Sequence, residues 1–420
     1  MRRVIETLVG FAVLTGVVVG ITTLTPAELP RVTTVEAIRS TKVVCVPAAA
    51  GATVMVDNTT TVTPLGGATT QTNRAVLTGQ ETSVVAEGTD GPTGSTIVGN
   101  GGVRTLTQCV KPVSRGVIAL PATADTQLKI VNPDASEAAI DLTLYGAEGE
   151  IQSLGARGIT LAAYEERAIA LSVLTKKATP VGVSFQASRG RAAVMAITQT
   201  QSSGTAAGPS QLGTSHLLPG IPAGATSSVI VLANPSETRI TANLTAYGTT
   251  PAYHPQGGEN ISIPSHASVS VSLENALLGE ASAIQVSSDA PVMAGMAFTL
   301  GDSAQVAPVS AGTSLGAFTP PGGTLQLTNP GEGDVQATVT ATGADGTEER
   351  ATVTVGTGQT TVHKLPTATE QGQRVVVSSD QPLFGAVVSS GDTGSWAAPL
   401  ESMTKGENPP LAAELDPGLH

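Results

Sequence analysis

Aromatic side chains are nearly missing: one Trp, four Tyr and five Phe, 2% of 420 residues. Sugar-binding modules use aromatic platforms, so ten aromatics argue against several stacking sites. Charge is scarce too, at 13%, about half the usual share. What there is leans acidic, with a net charge of -12. Nucleic-acid binding needs clustered Lys and Arg against phosphates and is excluded. The five histidines, His216, His254, His266, His363 and His420, lack metal-motif spacing, and none precedes position 216. With only two cysteines, a zinc site is not expected. There is no Gly-x-Ser-x-Gly elbow and no Asp-x-Asp-x-Asp-Gly calcium loop. The Gly-rich stretches 99–103 and 322–327 lack the helix and Lys of a phosphate cradle. The acidic pairs Glu165-Glu166 and Glu348-Glu349 are adjacent, so on a strand they point to opposite faces. No catalytic, cofactor-binding or metal-ligating residue is expected, and no cofactor.

What is present is hydrophobic sequence, 40% of the chain, enough to build cores. Arg2 and Arg3 precede an apolar run ending at Leu24, 20 residues counted from Ile5. That length crosses a hydrocarbon core as a helix, and the positive end stays inside. Residues 1–24 therefore read as a cytoplasmic stub and transmembrane anchor. A single-pass cell-membrane protein follows, N-terminus inside and domains extracytoplasmic. A cleaved signal peptide is the competing reading. Residues 25–40 read as a spacer and 401–420, with three prolines, as a disordered tail. Cys45 and Cys109 are the one available pair, and an oxidising compartment favours a disulfide between them.

A phrase repeats along the chain: a Pro, an alternating strand, then Asn-Pro at Asn132, Asn234 and Asn329. Period-two strands follow, with Ile140, Leu142 and Leu144, then Ile240, Ala242 and Leu244, then Val335, Ala337 and Val339 on one face. Later in each unit come a hairpin and two closing strands. The N-terminal VVCVPAAAGATVMVDN follows the same pattern as a shortened copy. Short strands with turn signals at this density predict an all-β chain of tandem immunoglobulin-like β-sandwich modules after the helix. The expected units are a disulfide-linked small β domain over 41–113 and sandwiches over 114–200, 214–310 and 316–400, each folding independently. Residues 171–177 and 273–279 are expected to add a helical turn or two.

The Asn-Pro pairs read first as strand ends with a capping Asn, and second as a repeated ligand feature. Tyr145 and Tyr247 precede matching glycines, where Thr342 stands in the last unit. They and Trp396 are the candidate ligand contacts, with packing as the alternative for each. Arg189 and Arg191, flanking Gly190, could bind an anion or form a solvated turn.

Asn132-Pro133 with Leu142-Thr143-Leu144-Tyr145-Gly146, and Asn234-Pro235 with Leu244-Thr245-Ala246-Tyr247-Gly248, resemble a family of uncharacterised, membrane-anchored, exported actinobacterial envelope proteins. The resemblance covers most of residues 40–400. It implies association with an envelope protein such as a glycosyltransferase, near cell-wall assembly, and transfers no catalytic residue. The leading expectation is a non-catalytic scaffold or stalk of the cell envelope that contacts protein or cell-wall glycan. A glycan-binding module is the alternative, and an enzyme with residues drawn from several domains is the third reading.

Overall fold

The computed structural model describes residues 41–403, except 90, 92, 101–102, 122–124, 176–179, 200–203, 321, 344, 367–371 and 390–394. The segment expected as a helix, 1–24, the spacer and residues from 404 onward lie outside the described residues. The rest folds into four copies of one eight-strand pattern, divided between two sheets.

The second repeat shows the pattern. Its first strand (Arg115–Leu120), third (Ala138–Gly146), fourth (Gly149–Ile151) and sixth (Val181–Arg189) form one sheet, in the order four-three-six-one, and an additional short strand, Ile159–Leu161, pairs with the start of the third. We call it the leading sheet. Its second (Thr126–Val131), fifth (Glu166–Ala170), seventh (Ala193–Gln199) and eighth (Gly204–Ala207) strands form the trailing sheet, in the order five-two-seven-eight. The other repeats order their strands in the same way; in the third repeat, the strand beside the third one, Ile261–Ile263, pairs with its start as Ile159–Leu161 does. Alternating side chains point between the two sheets: Ile140, Leu142 and Leu144 are buried in the core with Leu128 and Ile130. Among the described residues helix is confined to short pieces, of which Leu171–Leu174 buries Leu171 and Leu174. The corresponding stretch after Leu273 makes hydrogen-bonded turns.

The two closing strands of each unit, separated by a short turn such as Gly190, would be expected to form a hairpin, and they do not. The sixth and seventh strands do not pair with each other; the chain continues from one sheet into the other. In the third and fourth repeats this is one bent strand, Ser282–Leu300 and Gln373–Ser389. The bend falls at Asp289-Ala290-Pro291 and Asp380-Gln381-Pro382. There Ser288 Oγ donates to Ala290 O (2.8 Å) and Ser379 Oγ to Gln381 O (2.7 Å). Proline ends ladder bonding in one sheet, and the chain resumes in the other. In the second repeat Gly190, at φ +69°, makes the same bend. The segments flanking 264–266 and 356–358 likewise lie in different sheets, so these are corners rather than hairpins. After the eighth strand the chain bonds back to the first at Val44 with Val110, Val117 with Ser210 and Leu217 with Val309. Glu401–Ser402 pairs likewise with Leu315 and Gly316. Each repeat is thus one strongly bent sheet, close to a barrel.

Independent tandem immunoglobulin-like sandwiches are therefore not what forms. The leading sheet of each repeat packs on the trailing sheet of the next, and the fourth packs on the first. The result is a closed ring, the arrangement of a four-bladed propeller. Between repeats one and two, Val44, Val46 and Val110 meet Val131, Met195 and Ile197. Between two and three, Val117, Ala119 and Tyr145 meet Val231, Ala233 and Met293. Leu217, Tyr247 and Ala283 face Phe384 at the third junction. Gly295 permits the second junction, because a Cβ there would collide with Ala119 O. The closing junction carries polar contacts. Arg74 donates to Gly343 O (3.1 Å) and lies 5.1 Å from the Phe318 ring centroid, and Arg374 pairs with Asp57 (3.4 Å). Sheets covered on both faces leave little room for charge, which accounts for the scarcity of charged residues.

Candidate functional site

The three Asn-Pro pairs are built into the frame. Asn132, Asn234 and Asn329 are 1%, 0% and 2% exposed. Asn234 Nδ2 donates to Thr238 O (2.7 Å), Ile263 O (3.2 Å) and Pro264 O (3.1 Å), while its Oδ1 accepts from Ser236 N (2.8 Å). Asn132 makes the equivalent set to Ser136 O, Leu161 O and Ala162 O, and Asn329 to Gly333 O and Val355 O. Each side chain ties the loop after the second strand to the corner before the fifth. The capping reading therefore holds.

That tie sets the walls of grooves between repeats. At the corner, Tyr164 N donates to Asp134 O and His266 N to Ser236 O. Both residues sit in the left-handed region, φ +56° and +53°. Each stands 32 positions after its asparagine. At the first junction a groove of about 690 Å³ is floored by Thr61, Thr63 and Leu65 and walled by Pro133 and Tyr164. Tyr164 is 49% exposed. At the second junction a groove of about 800 Å³ is floored by Thr143, Tyr145, Ser184 and Gln186 and walled by Pro235, with Arg115 and Arg157 on its rim. Tyr145 stacks on His266 there, with centroids 6.2 Å apart and planes 13° from parallel. The two grooves are equivalent: each has the leading sheet as floor and the next repeat's Asn-Pro loop as wall.

Tyr145, Tyr247 and Trp396 are all mostly buried, at 7%, 7% and 4% exposure. Tyr145 still lines the second groove, and burial foremost raises its phenol pKa. Tyr247 lies in the third junction, where its hydroxyl donates to Gln285 Oε1 (2.5 Å). Trp396 belongs to the core of the fourth repeat. The structure does not gather these three into one site. Tyr164 is the residue that sequence reading overlooks, and its spacing from Asn132, matched by His266, is the available signal.

Arg189 and Arg191 do not form an anion site. Arg189 pairs with Glu137 (2.8 Å) and Arg191 with Asp134, through Nε (2.7 Å) and Nη2 (3.1 Å). Lys42 of the first repeat reaches the same carboxylate (2.9 Å). The Arg191 hydrogen bond, supported by Lys42, outweighs burial and holds the Asp134 carboxyl at about 2, against an ordinary 3.8. A depressed carboxylate stabilises the folded state above its unfolded pKa and loses that contribution as pH falls through the folded value. The thermal midpoint should therefore fall between pH 4 and pH 2 with a component from this junction. Asp134→Asn should show a shallower acid slope over that window in calorimetry. Identical slopes would refute the assignment.

Among the described residues, no group of three or more His, Cys, Asp or Glu could hold a metal ion. The Cys45–Cys109 disulfide is formed. The class defined here is a disulfide-bonded ring of four near-barrel repeats with grooves between them.

The chain belongs to DUF5719, a family of unknown function, whose model matches residues 93–366. No curated protein matches it. A solved tetra-tandem repeat from the extending region of a large adhesion protein aligns over 87% of this chain and 100% of its own, at 13% identity. Its TM-score is 0.10, too low to bear on the fold.

These findings correct the resemblance to membrane-anchored envelope proteins. The matched family brings no function and no glycosyltransferase partner. Among the described residues no helix is long and apolar enough to cross a membrane. Attachment through an N-terminal helix, single-pass topology and the resulting localisation are not retained.

Proposed function

We propose that this protein is a non-catalytic binding module for a polymeric glycan. The carrying observation is the pair of grooves at successive junctions, each with a Tyr side chain beside Thr hydroxyls, joined in the second groove by the Gln186 amide. A ligand with repeating units suits a surface with repeating sites. Tyr rings offer an apolar face to sugar C–H groups, and Thr and Gln side chains supply donors and acceptors. The disulfide favours work in an oxidising compartment. A protein partner is the second reading, because the fourth repeat ends its leading sheet in an eight-residue edge strand, Glu348–Val355. Such an edge can accept a partner strand.

Calorimetric titration with cell-wall polysaccharides tests the proposal. Tyr164→Ala should weaken binding about tenfold, the equivalent of roughly 1.4 kcal/mol for a lost stacking contact. Binding that is indifferent to Tyr164→Ala, or absent for every polysaccharide, would sink it.

A further inference from the structure

The eighth strands of the four repeats, Val103–Gln108, Gly204–Ala207, Asp302–Val306 and Trp396–Pro399, meet around the ring axis. With the links that follow them they line a cavity of about 280 Å³. All four repeats contribute: Gln108 and Lys111, Met195, Gln305, then Leu400 and Glu401. Gln305 is 8% exposed, and its Oε1 has no hydrogen-bond partner. Gln108 Nε2 is buried and unpartnered as well. Leaving a buried amide atom unpaired is unfavourable, so two beside one cavity call for a reason. Burial raises the Glu401 carboxyl above its usual range, and Lys111 opposes that shift.

We infer that the axial cavity binds one uncharged, polyhydroxylated unit the size of a single sugar residue. A hydroxyl can accept from Gln108 Nε2 and another can donate to Gln305 Oε1. Glu401 and Lys111 are the one acidic and the one basic residue in its lining, so the wall has no excess of formal charge of either sign. Met195 and Leu400 give apolar surface for the C–H face of a ring. The volume corresponds to roughly nine waters at about 30 Å³ each, room for one hexose and not two. This site is separate from the junction grooves and does not depend on what they bind.

The test uses the full chain, with glucose, galactose, mannose and arabinose as probes in saturation-transfer NMR and calorimetry. At least one sugar should bind saturably with one site per chain. Gln305→Leu, and separately Gln108→Leu, should weaken that binding tenfold or more. Tyr164→Ala should leave it unchanged. Each Leu variant removes an unpaired polar atom, so its thermal midpoint should match or exceed that of the parent. If one variant misfolds, the other carries the test. No binding by any of the four sugars, binding that survives both Leu variants, or binding lost in Tyr164→Ala would each overturn the inference.

Discussion

Asn234→Ala is expected to destabilise the chain by about 3 kcal/mol or more. Three carbonyls, Thr238 O, Ile263 O and Pro264 O, lose their donor, and Ser236 N loses its acceptor. Each buried group left unsatisfied costs about 1–3 kcal/mol, and partial relaxation at the exposed loop brings the total toward the lower end. Asn234→Asp should be at least as damaging despite equal size. It puts a carboxylate oxygen where the carbonyls need an N–H, and carboxylate against carbonyl is repulsive. Asn329, with fewer carbonyls tied, should be the more tolerant position. Denaturant unfolding monitored by circular dichroism gives the comparison. A loss below about 1 kcal/mol for Asn234→Ala would mean that the corner holds its shape without the asparagine.

The second large effect belongs to the disulfide. Cys45 ends the first strand of its repeat and Cys109 directly follows the eighth, beside the Val44–Val110 bridge. The bond closes a sequence separation of 64 residues. The chain-entropy account gives a contribution of about 4 kcal/mol for such a loop. The first repeat needs it most, since its own buried cluster is small and built from Val, Ala and the cysteines. Cys45→Ala with Cys109→Ala should lower the unfolding midpoint substantially, and reduction of the parent should mimic it. Hydrogen exchange should then show residues 41–108 opening before the other repeats. An unchanged midpoint in the double variant would refute this role.

Much of the single-repeat architecture is legible in the sequence. Alternation at 138–146, 240–247 and 335–343 identifies strands that are buried on one side. The recurrence of Asn132, Asn234 and Asn329 exposes the period, and two cysteines admit one intramolecular pair. The bend between the sixth and seventh strands is harder to read. Two alternating runs look the same whether the chain doubles back or continues through Asp-x-Pro into another sheet. The ring is written more faintly still. Val231, Leu232 and Ala233, like Val292, Met293 and Ala294, are buried in succession. Such unbroken runs mark sheets covered on both faces, yet they do not say which surface covers them. The short eighth strand Gly204–Ala207 lies in a stretch whose Gly, Ser and Thr read as linker, because its burial comes from the other repeats and not from its own apolar content. Tyr164 is invisible as a site residue for a related reason. Its exposure and its groove arise from a left-handed corner and from the neighbouring repeat.

The junctions are head-to-tail: a leading face always meets a trailing face, never its own kind. A contact of that sort has no built-in end and stops only when the rotation per unit completes a circle. Here four units complete it, and the last leading face returns to the first trailing face. Removing one repeat would not yield a smaller version of the same object. It would leave one sticky surface of each type on the same molecule, the condition for chains to add to one another in open filaments. The count of four is thus a safeguard against polymerisation as well as a feature of shape.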